Sequence, residues 1–178
     1  MLLHPEWMRL GRVSPVGRAG YREDMVFDAN AAPMRPHRAV ESQIGVPFSP
    51  SVVWHCLVDP VLLDGWLGHV LTDGSVGGRF AVVWPAGEPH EADWFGTIDE
   101  SEPLQRLSVR FDSCVSVAFD ITPDRPADPR SCAVSVWHEA FLTTPEERAV
   151  RAFWGDRLHD LSELLHGRPV DWNRVVER

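Results

Sequence analysis

Apolar side chains recur along this chain with two different periods, and each change of period marks an element. Within residues 38–46, Ala39-Val40-Glu41-Ser42-Gln43-Ile44 reads as a first strand. Two short helices follow. Ser49-Pro50 and Asp59-Pro60 each place an oxygen acceptor at the N-cap and a proline at the first helical position, where no N–H is needed. The first is expected to run to about Val58 and the second to about Leu67. A period of two then returns. Residues 76–84 alternate through Phe80, Val82 and Trp84, and a strand over 90–100 follows the turn Pro85-Ala86-Gly87-Glu88. After Glu102-Pro103, residues 106–111 alternate through Leu107, Val109 and Phe111, and residues 115–122 through Val115, Val117, Phe119 and Ile121. A loop rich in proline and aspartate (123–130) leads to a last strand over 131–141. Short turns between successive strands imply an antiparallel meander, because parallel neighbours need long crossovers.

The period then becomes helical. Thr144-Pro145-Glu146-Glu147 reads as a capping box, with Val150, Phe153, Trp154, Leu158, Leu161, Leu164 and Leu165 on one face. Gly167 and Pro169 end the helix. About 22 residues at the standard rise give about 33 Å, enough to cross a small domain. The expected fold is α+β: a curved antiparallel sheet of about six strands around a long C-terminal helix, with two short helices after the first strand.

Residues 1–37 show no sustained period and contain Pro5, Pro15, Pro33 and Pro36 with Gly11, Gly17 and Gly20. They read as an irregular N-terminal extension with one short helix near Glu6–Leu10, before a domain at 38–168 and a tail at 169–178. Trp7, Tyr21 and Phe27 give the extension something to dock with, on the domain or on a second copy.

Charge narrows the partners. The net charge is −9, and residues 39–178 carry eleven Arg against twenty-two acids, while residues 1–38 carry six Arg against four. An acidic domain is a poor match for nucleic acid, which selects basic faces. No apolar run approaches the roughly 20 residues of a membrane span. The N-terminus has no secretory pattern, so a cytoplasmic location is expected. Cys56, Cys114 and Cys132 lack metal-ligand spacing and read as small buried apolar groups, Cys56 in a helix and the others in strands. His55, His69, His90, His138 and His159 share no such spacing either, so neither a metal nor another cofactor is expected. His138 and Glu139 are adjacent on a strand, which points them to opposite faces. Asp99-Glu100-Ser101-Glu102 reads as a solvated turn tip, and Gly77-Gly78 as a bend at a strand entry.

Several segments carry a family resemblance. They are Phe48-Ser49-Pro50-Ser51-Val52-Val53-Trp54, Leu57-Val58-Asp59-Pro60-Val61-Leu62-Leu63, Gly65-Trp66-Leu67, Val76-Gly77-Gly78-Arg79-Phe80, Gly96-Thr97-Ile98 with Glu102-Pro103, His138-Glu139-Ala140-Phe141, and the closing helix from Phe153-Trp154 to Leu165. Over about 130 residues this wording resembles the helix-grip superfamily (SRPBCC, with START and Bet v 1-like proteins). Within it, the bacterial family named after the activator of heat-shock protein 90 ATPase is most similar. The extension at 1–37 is outside that pattern. The separate N-terminal domain of the eukaryotic co-chaperone has no counterpart here, which argues against a chaperone-activating role.

The resemblance implies a pocket between helix and sheet. Alternation then selects its walls: Trp66, Phe80, Val82, Trp84, Trp94, Leu107, Val109, Phe119, Trp137, Phe141, Phe153, Trp154 and Leu158. Such a wall favours a small apolar or aromatic ligand. A protein-interaction module or homodimer ranks second. A polyketide cyclase or dehydratase-type enzyme ranks third, with His90, Glu91, Asp93, Arg79 and Glu139 as its polar groups. No catalytic constellation stands out, so the reading leans away from an enzyme.

Overall fold

The computed structural model describes residues 35–84, 93–125 and 128–172. The expected turn at 85–88, His90 and Glu91, and nearly all of the N-terminal extension lie outside them. The element order is β1 (His37–Val46), α1 (Pro50–Val58), α2 (Pro60–Leu63), β2 (His69–Thr72), β3 (Arg79–Val83), β4 (Trp94–Glu102), β5 (Arg106–Phe111), β6 (Val115–Arg125), β7 (Asp128–Phe141) and α3 (Thr144–Leu165). The α+β reading therefore stands, with seven strands in place of about six.

All neighbouring strands are antiparallel, in the order β1-β7-β6-β5-β4-β3-β2. The meander runs from β2 to β7, and β1 closes onto β7 in an unbroken register from His37 opposite Phe141 to Val46 opposite Cys132. β2 escapes the sequence pattern because it has four residues and buries only Val70. The second helix is shorter than expected. It ends at Leu63, and turns carry the chain on to Leu67.

Local chemistry explains the element starts. Asp59 Oδ1 accepts the Val61 N–H at 2.9 Å, as a cap should. Ser49 does not cap; its hydroxyl pairs with that of Ser51 at 2.9 Å. α3 starts one residue earlier than the expected box. The N-cap is Thr143, whose N–H and hydroxyl both donate to Glu146 Oε2 at 2.7 Å. Glu147, the expected partner, instead binds Arg38 of β1 at 2.9 Å. Thr144 lies inside the helix, and Pro145 takes the second helical position.

Three further expectations change. The loop foreseen at 123–130 is largely strand, with β6 reaching Arg125 and β7 resuming at Asp128 across a register shift. Pro123 is tolerated at that irregularity because it has no N–H to give to a regular ladder. The acidic run at 99–102 belongs to β4, beside a bulge between Ile98 and Glu100, and it is ion-paired: Asp99 with Arg110, and Glu100 with an Arg106 that Asp120 also holds. Cys114 is exposed in the β5–β6 turn at φ 59, whereas Cys56 and Cys132 are buried. Burial pushes both of those thiols up to about 11, which keeps them protonated and unreactive near neutral pH.

α3 lies on one face of the sheet and buries Val150, Trp154, Leu158 and Leu161 there. Residues 169–172, set apart as tail by sequence, fold back onto the domain. The Val170 N–H meets Gly65 O at 2.9 Å, and the Trp172 indole donates to Asp64 O at 2.6 Å.

Candidate functional site

The inner face of the sheet and the buried face of α3 enclose a continuous aromatic layer. Strand parity sets its members: Phe80 and Val82 from β3, Trp94 and Ile98 from β4, Leu107 and Val109 from β5, and Val117, Phe119 and Ile121 from β6. Gly96 faces the same layer between its ladder partners Phe80 and Phe111. A Cβ there would come within 2.8 Å of the Phe111 ring, so only glycine lets the two phenylalanines approach, at 6.3 Å between centroids.

Trp94 sits at the centre. Its ring centroid lies 5.2 Å from Trp84 and Phe111, 5.8 Å from Phe153 and 6.3 Å from Trp154. Trp154 contacts Phe119 at 5.7 Å and Phe153 at 4.9 Å, and Phe119 reaches Trp66 at 6.0 Å. Aromatic pairs of this kind, edge-to-face or tilted, contribute about 0.5–1.5 kcal/mol each beyond burial. Trp66 also donates its indole N–H to Cys56 O at 2.9 Å, which ties α1 to the layer.

Of the wall residues expected from sequence, Trp66, Phe80, Val82, Trp84, Trp94, Leu107, Val109, Phe119, Trp154 and Leu158 are buried on this inner side. Phe153 is half-buried and stands with Trp84 at its rim, 5.7 Å apart. Trp137 and Phe141 do not belong to it. They are 36% and 54% exposed on the outer face, because the inward residues of β7 are Cys132, Val134, Val136, His138 and Ala140.

That parity brings in a group the aromatic count overlooked. His138 is 0% exposed, and its Nδ1 accepts the Trp154 indole N–H at 3.1 Å. An indole only donates, so this nitrogen must offer its lone pair; the imidazole is neutral with its proton on Nε2. Burial depresses its pKa to about 4. The same bond occupies the lone pair that a general base would use. His138 therefore serves as a fixed polar point in an apolar layer and is not poised for proton abstraction. Its isolation on the apolar face of a strand was the one available signal, and a packed histidine gives the same pattern in sequence.

The polar groups considered for catalysis do not converge. Glu139 is exposed on the outer face, as expected for a neighbour of His138, and Arg79 is also exposed. Asp93 Oδ1 accepts the Trp84 N–H at 3.2 Å. Among the described residues no three His, Cys, Asp or Glu side chains gather as a metal site, and no helix is long and apolar enough to cross a membrane. The outer face carries a shallow groove of about 760 Å³ whose lining includes Leu104, Arg106, Asp120, Pro123 and Trp137.

The pattern of the activator of Hsp90 ATPase homolog 1-like proteins matches residues 47–166. No curated protein matches the chain. Among solved structures, DynU16, a protein of the dynemicin biosynthetic locus, superposes with a TM-score of 0.63 at 21% identity, over 74% of this chain and 48% of its own. The chain thus spans about half the length of that protein. CalU16 from Micromonospora echinospora gives 0.61 at 18% identity, over 79% of this chain and 83% of its own. The Aha1 dimer from Colwellia psychrerythraea gives 0.60 at 14% identity, over 72% and 96%. At these identities the similarity is one of fold.

Proposed function

The chain belongs to the family of activator of Hsp90 ATPase homolog 1-like proteins, and on that premise we propose that it binds a small apolar or aromatic molecule between the sheet and α3. It is the family that the sequence motifs resemble. Fold alone does not select a ligand. The reading rests on the aromatic layer, and above all on the Trp154–His138 bond at its centre. A core that only needed filling gains nothing from an imidazole there. Burying a polar ring costs free energy unless it is hydrogen-bonded, and an aliphatic residue would avoid that cost. A fixed neutral ring among indoles can orient a flat guest. The entry is the rim where half-buried Phe153 meets Trp84 and Trp94.

Native mass spectrometry of the purified full chain, paired with displacement of a fluorescent apolar probe, tests this. Bound small molecules, or a probe displaced in a saturable way, are expected. Failure of both sinks the reading.

A second reading, a protein-interaction module or homodimer, has its own observation. Trp137, Phe141 and Phe95 stand exposed on the outer face, where large aromatics often mark contact surfaces. Light scattering of the wild type and of a Trp137→Ser, Phe141→Ser variant separates the two. A monomer in both cases removes the homodimer.

A further inference from the structure

We infer that the guest of this interior carries a single carboxylate, and that Arg157 is the residue that recognises it; the inference rests on the ligand-binding reading above. Arg157 lies one helical turn beyond Phe153, at the rim. Its side chain is only 11% exposed. The guanidinium carbon stacks over the Phe153 ring at 5.8 Å from the centroid and over Trp172 at 5.1 Å. Ring contacts of this kind satisfy none of the N–H groups, which still need acceptors. One edge is served by Asp160, paired with Nη2 at 3.2 Å. The Nε and Nη1 groups are buried and have no hydrogen-bond partner among the described residues.

A buried cation with unserved donors is costly, and such groups in a folded protein call for an explanation. Trp172 is held in place over this guanidinium by its bond to Asp64 O, so the arrangement is built and not a wandering surface side chain. The two unserved donors, Nε and Nη1, lie on different edges of the guanidinium, each beside Nη2, so an oxyanion on Arg157 takes one of them as a charge-assisted acceptor. The partial neutralisation by Asp160 leaves Arg157 suited to one further negative charge, not to a phosphate dianion. The guest assigned here is an aromatic or apolar monocarboxylate, with its body along Phe153 toward Trp94 and its acid group on Arg157.

Isothermal titration calorimetry of the full-length protein with 2-naphthoate and with uncharged 2-naphthalenemethanol tests this. In the wild type the carboxylate should bind about ten-fold tighter or more, the usual scale of a charge-assisted pair. Arg157→Gln should remove that preference while leaving the alcohol within about two-fold, and Arg157→Lys should keep only part of it because an ammonium lacks the planar group and the donors at its edges. If Arg157→Gln does not fold, the Lys variant carries the same comparison. An alcohol that binds as well as the acid overturns the carboxylate assignment and leaves the interior site standing. A parallel loss of both probes in the variants also overturns it, because Arg157 is then only packing. Binding of neither probe overturns this inference, while the interior reading falls only if native mass spectrometry and fluorescent-probe displacement fail as well.

Discussion

Trp137 and His138 are neighbours on β7, yet they meet different surroundings. Trp137 points outward and is 36% exposed, while His138 points inward and is 0% exposed. The outer face near Trp137 is a patchwork of Ala118, Ser135 and ion pairs such as Arg106 with Asp120. The inner face is a set of rings that contact one another from Trp66 through Phe119, Trp154 and Trp94 to Trp84. An indole inside that set is held on several sides and leaves a cavity when removed. An indole outside leaves solvent. The residue type is the same, so the difference in consequence comes from its surroundings.

The largest expected effect breaks the inner side. Trp154→Ala deletes a ring that contacts Phe119, Phe153 and Trp94 and that donates to His138. A loss of about 3–5 kcal/mol is expected in urea unfolding, from lost burial plus the cavity left behind. A loss under 1 kcal/mol would mean that the layer is not the core.

The next effect is one of pH. The folded state holds His138 at about 4, below the ordinary 6.5 of the unfolded chain. The unfolded state therefore binds the proton first. The contribution of His138 is fully present above about pH 6.5 and falls away as pH drops toward 4, by on the order of 3 kcal/mol across that window. The protonated ring would also lose the lone pair that accepts from Trp154. Denaturant midpoints measured from pH 7 to pH 4 should show this slope, and His138→Gln should flatten it. An equal slope in the variant would assign the effect to other groups.

The smallest effect sharpens the outer side. Trp137→Ser and Phe141→Ser should each cost about 1 kcal/mol or less, as for surface changes in general. Phe141 touches His37 at 5.3 Å and is 54% exposed. A larger loss at either position would show that the outer face is covered in solution.

Much of this division was legible in sequence where contacts are local. α3 and β5 follow their periods, and α3 has the 22 residues expected of it. What was not legible depended on long-range partners. β7 carries apolar residues at both parities, Cys132, Val134 and Val136 on one and Trp137 and Phe141 on the other. Counting aromatics selects the second. The ladder selects the first, because Val134 and Val136 sit opposite Ile121 and Phe119. The capping box slipped for a related reason. Thr143-Thr144-Pro145-Glu146-Glu147 holds two overlapping candidates, and Arg38, more than a hundred residues away, takes Glu147 out of the competition. No sequence pattern sets Arg157 apart from the other arginines of α3; its burial depends on Phe153 and Trp172 around it.

The contrast between the faces is tested most directly by following the indole N–H signals of the tryptophans in a ¹⁵N correlation spectrum while 2-naphthalenemethanol is added to the full-length protein. The signals of Trp84, Trp94 and Trp154 should shift together and saturate, while that of Trp137 stays in place. A saturable shift of Trp137 with the inner indoles unmoved would contradict the account, because the guest would then bind the outer face.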